Sequence, residues 1–495
     1  MTDTAQSESS RSVGTPSKGS PRRRSLILVV LALSQLMVIL DGTIVNIALP
    51  SAEQDLGFGA DQRQWVVTAY ALAFGSLLLL GGRLTDLFGR KAAFIVGLAG
   101  FAVASAVAGA AGDFSMLIVG RALQGVFGAL LAPAALSLLS TTFTESKERA
   151  RAFGVFGAVA GAGGAIGLLL GGLLTEYTSW RWCLLVNLII AAIAIVGAGA
   201  LIPRQRAAEP RTKLDLPGTV LITLGLVGIV YGFSSAGAEG WGSALTLIPL
   251  AVGLVLSVAF VILEIRVAHP LLPMRVVLDR NRGGSYLTIA LVGVALFSVF
   301  LFLAYYLQNV RGYSPFQSGL AFLPLPFAIA ITSTAIAPRL VQRFGPKLPI
   351  VTGTLLGATS LLLLTTINLT SNYWLTIAPA LLILGLGMGC VFASTFDAAT
   401  AGVEPEDAGV ASAMVNTAQQ IGGAIGTALL SAIAQSALTG YLADNGTGDL
   451  AQTNAQLASY HAAFYCGAAV LVVLSIAMLF LLRRRRATSD TTPVV

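Results

Sequence analysis

The chain has 495 residues, of which 55% are AVILMFWYC and only 11% are Asp, Glu, Lys or Arg, with 54 Gly and 19 Pro. Soluble domains carry about 25% charged residues, so this composition excludes a water-soluble enzyme, a disordered scaffold and a secreted disulfide protein, and places the chain in a bilayer. Cys183, Cys390 and Cys466 have no C-x-x-C spacing and His269 and His461 lie far apart, which gives no metal site and no disulfide framework. The formal charge of +7 reads as loop charge and not as a nucleic-acid surface.

In chain order, residues 1–25 are Ser-rich and polar and end in Pro21, Arg22, Arg23 and Arg24, the pattern of a disordered cytoplasmic tail. The apolar run that follows is long enough to cross a hydrocarbon core of about 30 Å. It exceeds a signal-peptide h-region of roughly 7–15 residues, and is read as an uncleaved first helix. Apolar windows then place spans near 26–48, 64–82, 92–111, 115–140, 152–176, 182–202, 217–235 and 244–264. Six more follow near 285–308, 317–338, 349–367, 374–399, 410–436 and 461–482. The fold class is therefore an all-α polytopic membrane protein of fourteen helices, with a second tail at 483–495.

Loop charge tests that count, because one missed span would invert every later loop. With the N-terminus inside, all but four of the 30 basic residues fall in cytoplasmic segments. The exceptions are Arg63, Arg181 and Arg311 in outer loops and Arg121 within span 4. Both termini are read as cytoplasmic, with Arg483 to Arg486 as a stop-transfer anchor and the acidic loop of Glu404, Glu406 and Asp407 as the one base-free inner segment.

The sequence repeats itself. Gly82 to Lys91 reads GRLTDLFGRK and Pro338 to Lys347 reads PRLVQRFGPK, while Gly-Gly-Ala-Ile-Gly occurs at Gly163 to Gly167 and again at Gly422 to Gly426, each pair eight spans apart. Two six-span halves, residues 26–202 and 285–482, are expected to flank a linker, 203–284, holding two extra helices. No G-x-x-x-x-G-K-[ST] sequence occurs, and Gly385, Gly387 and Gly389 lie in an apolar helix where small residues permit close packing. Repeated halves without a nucleotide site or cofactor point to a secondary transporter with substrate held near the midplane.

Several motifs carry a resemblance. Gly82, Leu84, Asp86, Gly89, Arg90 and Lys91 fit the loop signature G-x-L-x-D-R-x-G-R-[RK], with Leu87 at the usual arginine. Asp41-Gly-Thr-Ile-Val-Asn46-Ile-Ala-Leu-Pro50 in span 1 and Arg121-Ala-Leu-Gln124-Gly125 in span 4 are two more. Span 5 places Gly163, Gly167, Leu170, Gly171 and Gly172 on G-x-x-x-G-P-x-L-G-G, with Leu168 where proline is usual. Over roughly residues 26–482 the chain resembles the major facilitator superfamily, in particular its fourteen-span drug:proton antiporters.

The resemblance implies that spans 1 and 4, with 9 and 12, line a central cavity. Asp41 and Arg121 each lie roughly 10 Å inside the outer boundary at 1.5 Å per residue, at matching depth. Ionisable side chains inside a span are expensive and mark function. A guanidinium favours a carboxylate's charged form and an apolar pocket its neutral form, so a motion that joins or parts such a pair exchanges a proton. Asp41, Arg121, Gln124 and Asn46 are therefore the candidate coupling and substrate residues. Asp397 is a second acid, either a contact for an entering cation or a solvated helix end.

Gly82, Asp86, Gly89, Arg90 and Lys91 form a candidate gating loop, in which the two bases either gate or only fix topology. Gly163, Gly167, Gly171 and Gly172 form a close-packed face. Tyr70, Phe300, Tyr305, Tyr306 and Gln308 form either an aromatic pocket or a set of interfacial anchors. The expected partners are protons, lipid and a small lipophilic compound; a metabolite symporter and a non-transporting sensor are the alternatives. A single chain supplies both halves, so a monomer suffices.

Overall fold

The computed structural model describes residues 21–59, 62–143, 145–203, 215–267, 270–400 and 408–482, with some side chains inside helices excepted. The rest of the N-terminal tail, the bases Arg204 to Lys213, His269, the acidic loop Glu404 to Asp407 and Arg483 to Arg486 lie outside the described residues, as do the side chains of Asp86 and Asp397.

In hydrocarbon every backbone N–H and C=O must be satisfied within its own segment, and the described residues form helices without a strand. The first six long helices are α1 (Pro21–Leu56), α2 (Gln64–Phe88), α3 (Arg90–Gly109), α4 (Phe114–Thr142), α5 (Ser146–Tyr177) and α6 (Trp182–Leu201). An inserted pair follows, α7 (Leu216–Glu239) and α8 (Ala244–Arg266). The second six are α9 (Arg280–Val310), α10 (Pro315–Phe344), α11 (Lys347–Leu364), α12 (Ala378–Thr400), α13 (Ala408–Asn445) and α14 (Asp449–Leu481). Among the described residues, thirteen helices are long and apolar enough to cross a membrane, and the Gly-rich α5, 32 residues long, packs among them as the fourteenth.

Several boundaries differ from the hydropathy reading. Residues 21–25, expected as disordered tail, are the first turn of α1. Pro21 is suited to a first helical position, Arg24 pairs with Glu148 of α5 at 2.7 Å, and Arg23 donates to the Leu201 carbonyl of α6. The expected polar loop between spans 13 and 14 is also mostly helix. Chain reversal there takes only Gly446 to Gly448, Gly446 having φ +81°. Hydropathy marks where the bilayer ends, whereas these helices run on past it on Ala, Leu and Gln. Helices α9, α10 and the entry to α12 contain π turns, at Val299–Leu303, Tyr306–Val310, Thr332–Ile336 and Tyr373–Ile377.

Helix packing follows a similar pattern in the two sets of six. In the first half α1 packs on α5 and α6, α2 on α4, and α3 on α4 and α6; in the second, α9 packs on α13 and α14, α10 on α12, and α11 on α12 and α14. The halves meet along α2 with α13 and α5 with α10, again equivalent pairs. A methyl on Gly167 would lie 2.0 Å from Thr43 Oγ1 of α1, and one on Gly422 would lie 2.0 Å from the Ala290 carbonyl of α9. Gly89 (φ +88°) and Gly345 (φ +74°) turn the matching hairpins. Lys91 Nζ donates to the Gly199 and Ile202 carbonyls at the end of α6, and Lys347 Nζ to the Leu479 carbonyl near the end of α14. Cations are favoured at a helix C-terminus, where carbonyls lack intrahelical partners.

The inserted pair lies across the seam. α7 packs on both α2 and α13, with Leu226 and Val230 against Ala71, Leu72, Ala424 and Ala428, and Gln64 of α2 donates to Ser234 Oγ at 2.7 Å.

A left-handed φ costs a non-glycine residue about 1–2 kcal/mol. Gly89→Ala is therefore expected to lower the melting temperature in detergent. Gly82→Ala, whose added methyl meets only Pro133 Cβ at 3.9 Å, is expected to leave it unchanged.

Candidate functional site

The structure brings Asp41, Arg121 and Gln124 together in the buried interior of the first half. Arg121 Nη1 donates to Asp41 Oδ2 at 2.6 Å and to Gln124 Oε1 at 2.8 Å, and Gln124 Nε2 donates to Asp41 Oδ1 at 2.8 Å. Spacing on α4 explains why two of these converge, since positions three apart share a helix face. Arg121 Nε donates to the Val66 carbonyl of α2 at 2.9 Å. Its guanidinium carbon lies 4.6 Å from the centroid of the Tyr70 ring, and Tyr70 in turn stacks on Phe74.

Two partners were not picked out from the sequence as part of this site. Asn187 of α6 donates to Asp41 Oδ1 at 2.7 Å, and Ser105 of α3 accepts from Gln124 Nε2 at 2.7 Å. Neutral polar residues recur throughout the spans and carry no charge signal. The available cue was Asn187 in the first half of an otherwise apolar α6. The network thus spans five helices, and Asp41 and Gln124 are 0% exposed and Arg121 1%. A carboxylate holding three donors needs no water. Withdrawing any donor would leave an uncompensated charge in a dry site.

Asn46 is not part of the network. It lies on the next turn of α1 and donates to the Gly42 and Thr43 carbonyls of its own helix at 3.0 and 3.4 Å. Gly42 has no atom within 4 Å of where a Cβ would sit. Asp397 lies in the last turns of α12 and Asp86 in the last turn of α2, and their side-chain roles fall outside the described residues.

The members of the proposed gating loop go to different tasks. Gly89 turns the chain, Lys91 caps α6 within its own half, and Arg90 starts α3. Neighbouring Arg83 reaches the inserted pair, donating to the Pro270 carbonyl at 2.9 Å. Gly163, Gly167 and Gly171 all face α1, at Ile39, Thr43 and Ile44, while Gly172 faces the other half, where an added methyl would lie 2.6 Å from the Pro315 carbonyl.

The aromatic residues do not form one pocket. Tyr70 lies under Arg121, Phe300 packs on Phe322, and Tyr306 donates to the Asn368 carbonyl at 2.7 Å. Tyr305 instead joins the halves, its hydroxyl donating to Glu53 of α1, with Arg63 stacked on its ring at 4.1 Å. Nearby Gln308 donates to the Ile47 carbonyl at 3.0 Å, and Glu176 at the end of α5 accepts from Ser314 Oγ and the Phe316 amide. Glu53, Arg63 and Glu176 carry these contacts although nothing in the sequence marks which half they face. All these bridges between the halves lie at the end that carries the α1–α2 and α9–α10 connections.

Two six-helix halves around a buried charge network, joined at one end, define a membrane carrier. A family model described as Major Facilitator Superfamily matches residues 31–427, and the chain belongs to that superfamily. It is 49% identical to the puromycin resistance protein pur8 of Streptomyces alboniger, covering 96% of this chain and 94% of that one. It is 38% identical to the cephamycin export protein CmcT of Amycolatopsis lactamdurans (94% and 93% covered) and 32% identical to the multidrug transporter MdtP of Bacillus subtilis (90% and 82%). Among solved structures, an auto-inhibited POT family peptide transporter superposes with TM-score 0.67 at 17% identity, covering 96% of this chain and 99% of that one. A bacterial homologue of the lysosomal transporter Spinster, inward-facing and unoccupied, superposes with TM-score 0.64 at 18% identity (95% and 100%). At that identity the likeness is one of fold.

Removing one partner from a buried ion pair costs about 3–5 kcal/mol because the other charge is stranded. Asp41→Ala and Arg121→Leu are each expected to lower the melting temperature of purified protein sharply. The double variant is expected to recover part of the loss, which a double-mutant cycle by scanning fluorimetry measures.

Proposed function

We propose that this chain exports a lipophilic, antibiotic-like small molecule across the plasma membrane in exchange for protons, by alternating access between residues 26–202 and 285–482, with 203–284 as the linker carrying the inserted helices. The observation that carries the reading is the fully buried Asp41–Arg121 pair. A bilayer protein that only needed packing there would use apolar residues, since intramembrane charge is costly and is retained where it works. The relatives' names, resistance and export proteins for puromycin and cephamycin and a multidrug transporter, supply the direction and the kind of cargo. Nothing in the reading calls for bond-making chemistry.

In the mechanism, Asp41 alternates between its three donors and a proton. In the present arrangement it holds Arg121, Gln124 and Asn187. A shift of α4 against α1 that loosens the Arg121 contact leaves the carboxylate dry and charged, and a proton entering from outside relieves it. Loss of that proton to the cytoplasm re-forms the pair. Gly163, Gly167 and Gly171 give α1 and α5 the close contact along which such a shift slides.

With both termini cytoplasmic, the end closed by Tyr305–Glu53, Gln308–Ile47 and Glu176–Ser314 faces outward. The structure then corresponds to the state sealed against the exterior. Export requires this seal to open, so its polar contacts have to be reversible. Hydrogen bonds to side chains at the water boundary, each worth about 0.5–1.5 kcal/mol net, meet that requirement.

Two outcomes follow in everted vesicles energised by a proton gradient and given a fluorescent lipophilic substrate in the medium. Asp41→Asn, whose amide oxygen still accepts from Gln124 and Asn187 but whose amide nitrogen cannot accept from Arg121, is expected to lose substrate-induced proton flux. Full proton-driven export by this variant would remove Asp41 from coupling. Gly172→Val, which collides with the Pro315 carbonyl, is expected to abolish turnover while leaving substrate binding in place; unimpaired turnover would show that the outer seal is not part of the cycle.

A further inference from the structure

A second pair of acids lies well away from the central network, in the inserted helices. Asp215 caps α7, its Oδ1 accepting from the Gly218 amide at 2.9 Å. Glu264, in the last turn of α8, accepts from the Leu272 amide through Oε2 at 2.9 Å. The remaining oxygens, Asp215 Oδ2 and Glu264 Oε1, have no donor, although the residues are only 8% and 3% exposed. Both crowd over Gly218, where an added methyl would lie 2.2 Å from the first and 2.9 Å from the second, and the two carboxyl groups are within hydrogen-bond reach of each other.

Two carboxylate oxygens are acceptors only and cannot bond to one another when both are charged. With one proton between them, one becomes a donor and the short contact turns favourable, the arrangement of two acids sharing a site. We propose that Asp215 and Glu264 bind one exchangeable proton between them, forming a second proton site outside the central cavity.

The surroundings say what that proton governs. Arg83 of α2 is the cation whose charge reaches Glu264, and it is held by the Pro270 carbonyl, two residues before the Leu272 amide that binds Glu264. Leu271 and Leu272 are buried against Leu79 of α2, Leu221 and Ile222 of α7, Phe260 of α8, Met274 and Val277 of the linker and, from the second half, Val410 and Met414. Val410 and Met414 of α13 bring no charge, and Arg266 on α8 itself and Arg275 beyond the turn are exposed. The proton pair thus sits where α2, the inserted helices and the second half converge. Losing the proton leaves two buried negative charges beside one arginine, which draws Arg83 from the Pro270 carbonyl toward the acids and changes how α2 is held to the inserted pair.

Acid-minus-alkaline infrared difference spectra of the purified full chain in nanodiscs test the assignment. The wild type is expected to show the carbonyl stretch of a protonated carboxylic acid in the acid state, and Glu264→Gln is expected to lose that component. Asp41→Asn is expected to keep it, which separates this proton from the one assigned to the central cavity. A proton shared by the two acids is bound at low pH and released as the pH rises, so the contact it makes is lost on the alkaline side. Melting temperature in the wild type should therefore fall on the alkaline side, and Glu264→Gln should flatten that fall. If Glu264→Gln does not fold, Asp215→Asn, whose amide oxygen still caps α7, serves the same comparison. A carbonyl component and an alkaline fall that survive unchanged in either folded variant would overturn the proposal.

Discussion

A charge that leaves water must take its solvation with it, and the first half of this molecule is arranged around that requirement. Asp41 is surrounded by donors from α4 and α6, and Arg121 by acceptors from α1, α2 and α4 itself, with the Tyr70 ring below. No single helix can supply such a shell. The network therefore fixes the relative depth of α1, α2, α4 and α6, and, through Ser105, of α3. The same set of hydrogen bonds both holds these helices in register and satisfies the buried charges.

The glycines act in the opposite sense. Where the polar network pins, the seams along α1–α5 and α9–α13 bring backbones close without side chains between them. Lipid tails are as apolar as leucine, so association there rests on close contact and not on expulsion of water. A seam of this kind carries few rotamer-specific interlocks. The second half has the equivalent glycine seam, yet α9 carries no acid where α1 carries Asp41. The glycine seams therefore repeat where the α1 charge does not.

Much of this was legible in the chain. Asp41 and Arg121 could be matched because depth in a bilayer is counted in residues, and few charges compete for attention inside the spans. The repeat was legible because glycines at a hairpin or seam are tied to backbone geometry that other residues cannot adopt. What stayed hidden has equally physical reasons. Asn187 and Ser105 are neutral and common in spans, while Asn46, grouped with Asp41 in sequence, bonds back to its own helix. Tyr305 and Tyr306 are adjacent, but the π turns around them send one to α1 and the other to the α11–α12 connection, which no regular periodicity anticipates. The Asp215–Glu264 contact joins residues from opposite ends of a helical hairpin, and proximity of that kind belongs to the fold.

Lys91 and Lys347 have a mechanical consequence. Each sits at the first turn of the third helix of its half and grips the carbonyls that end the sixth. The hold ties the third helix of each half to the end of its sixth and resists sliding between those two. A latch repeated at equivalent places in both halves clamps the same edge of each bundle and leaves the α1–α4 contact, on which Asp41 sits, outside its grip.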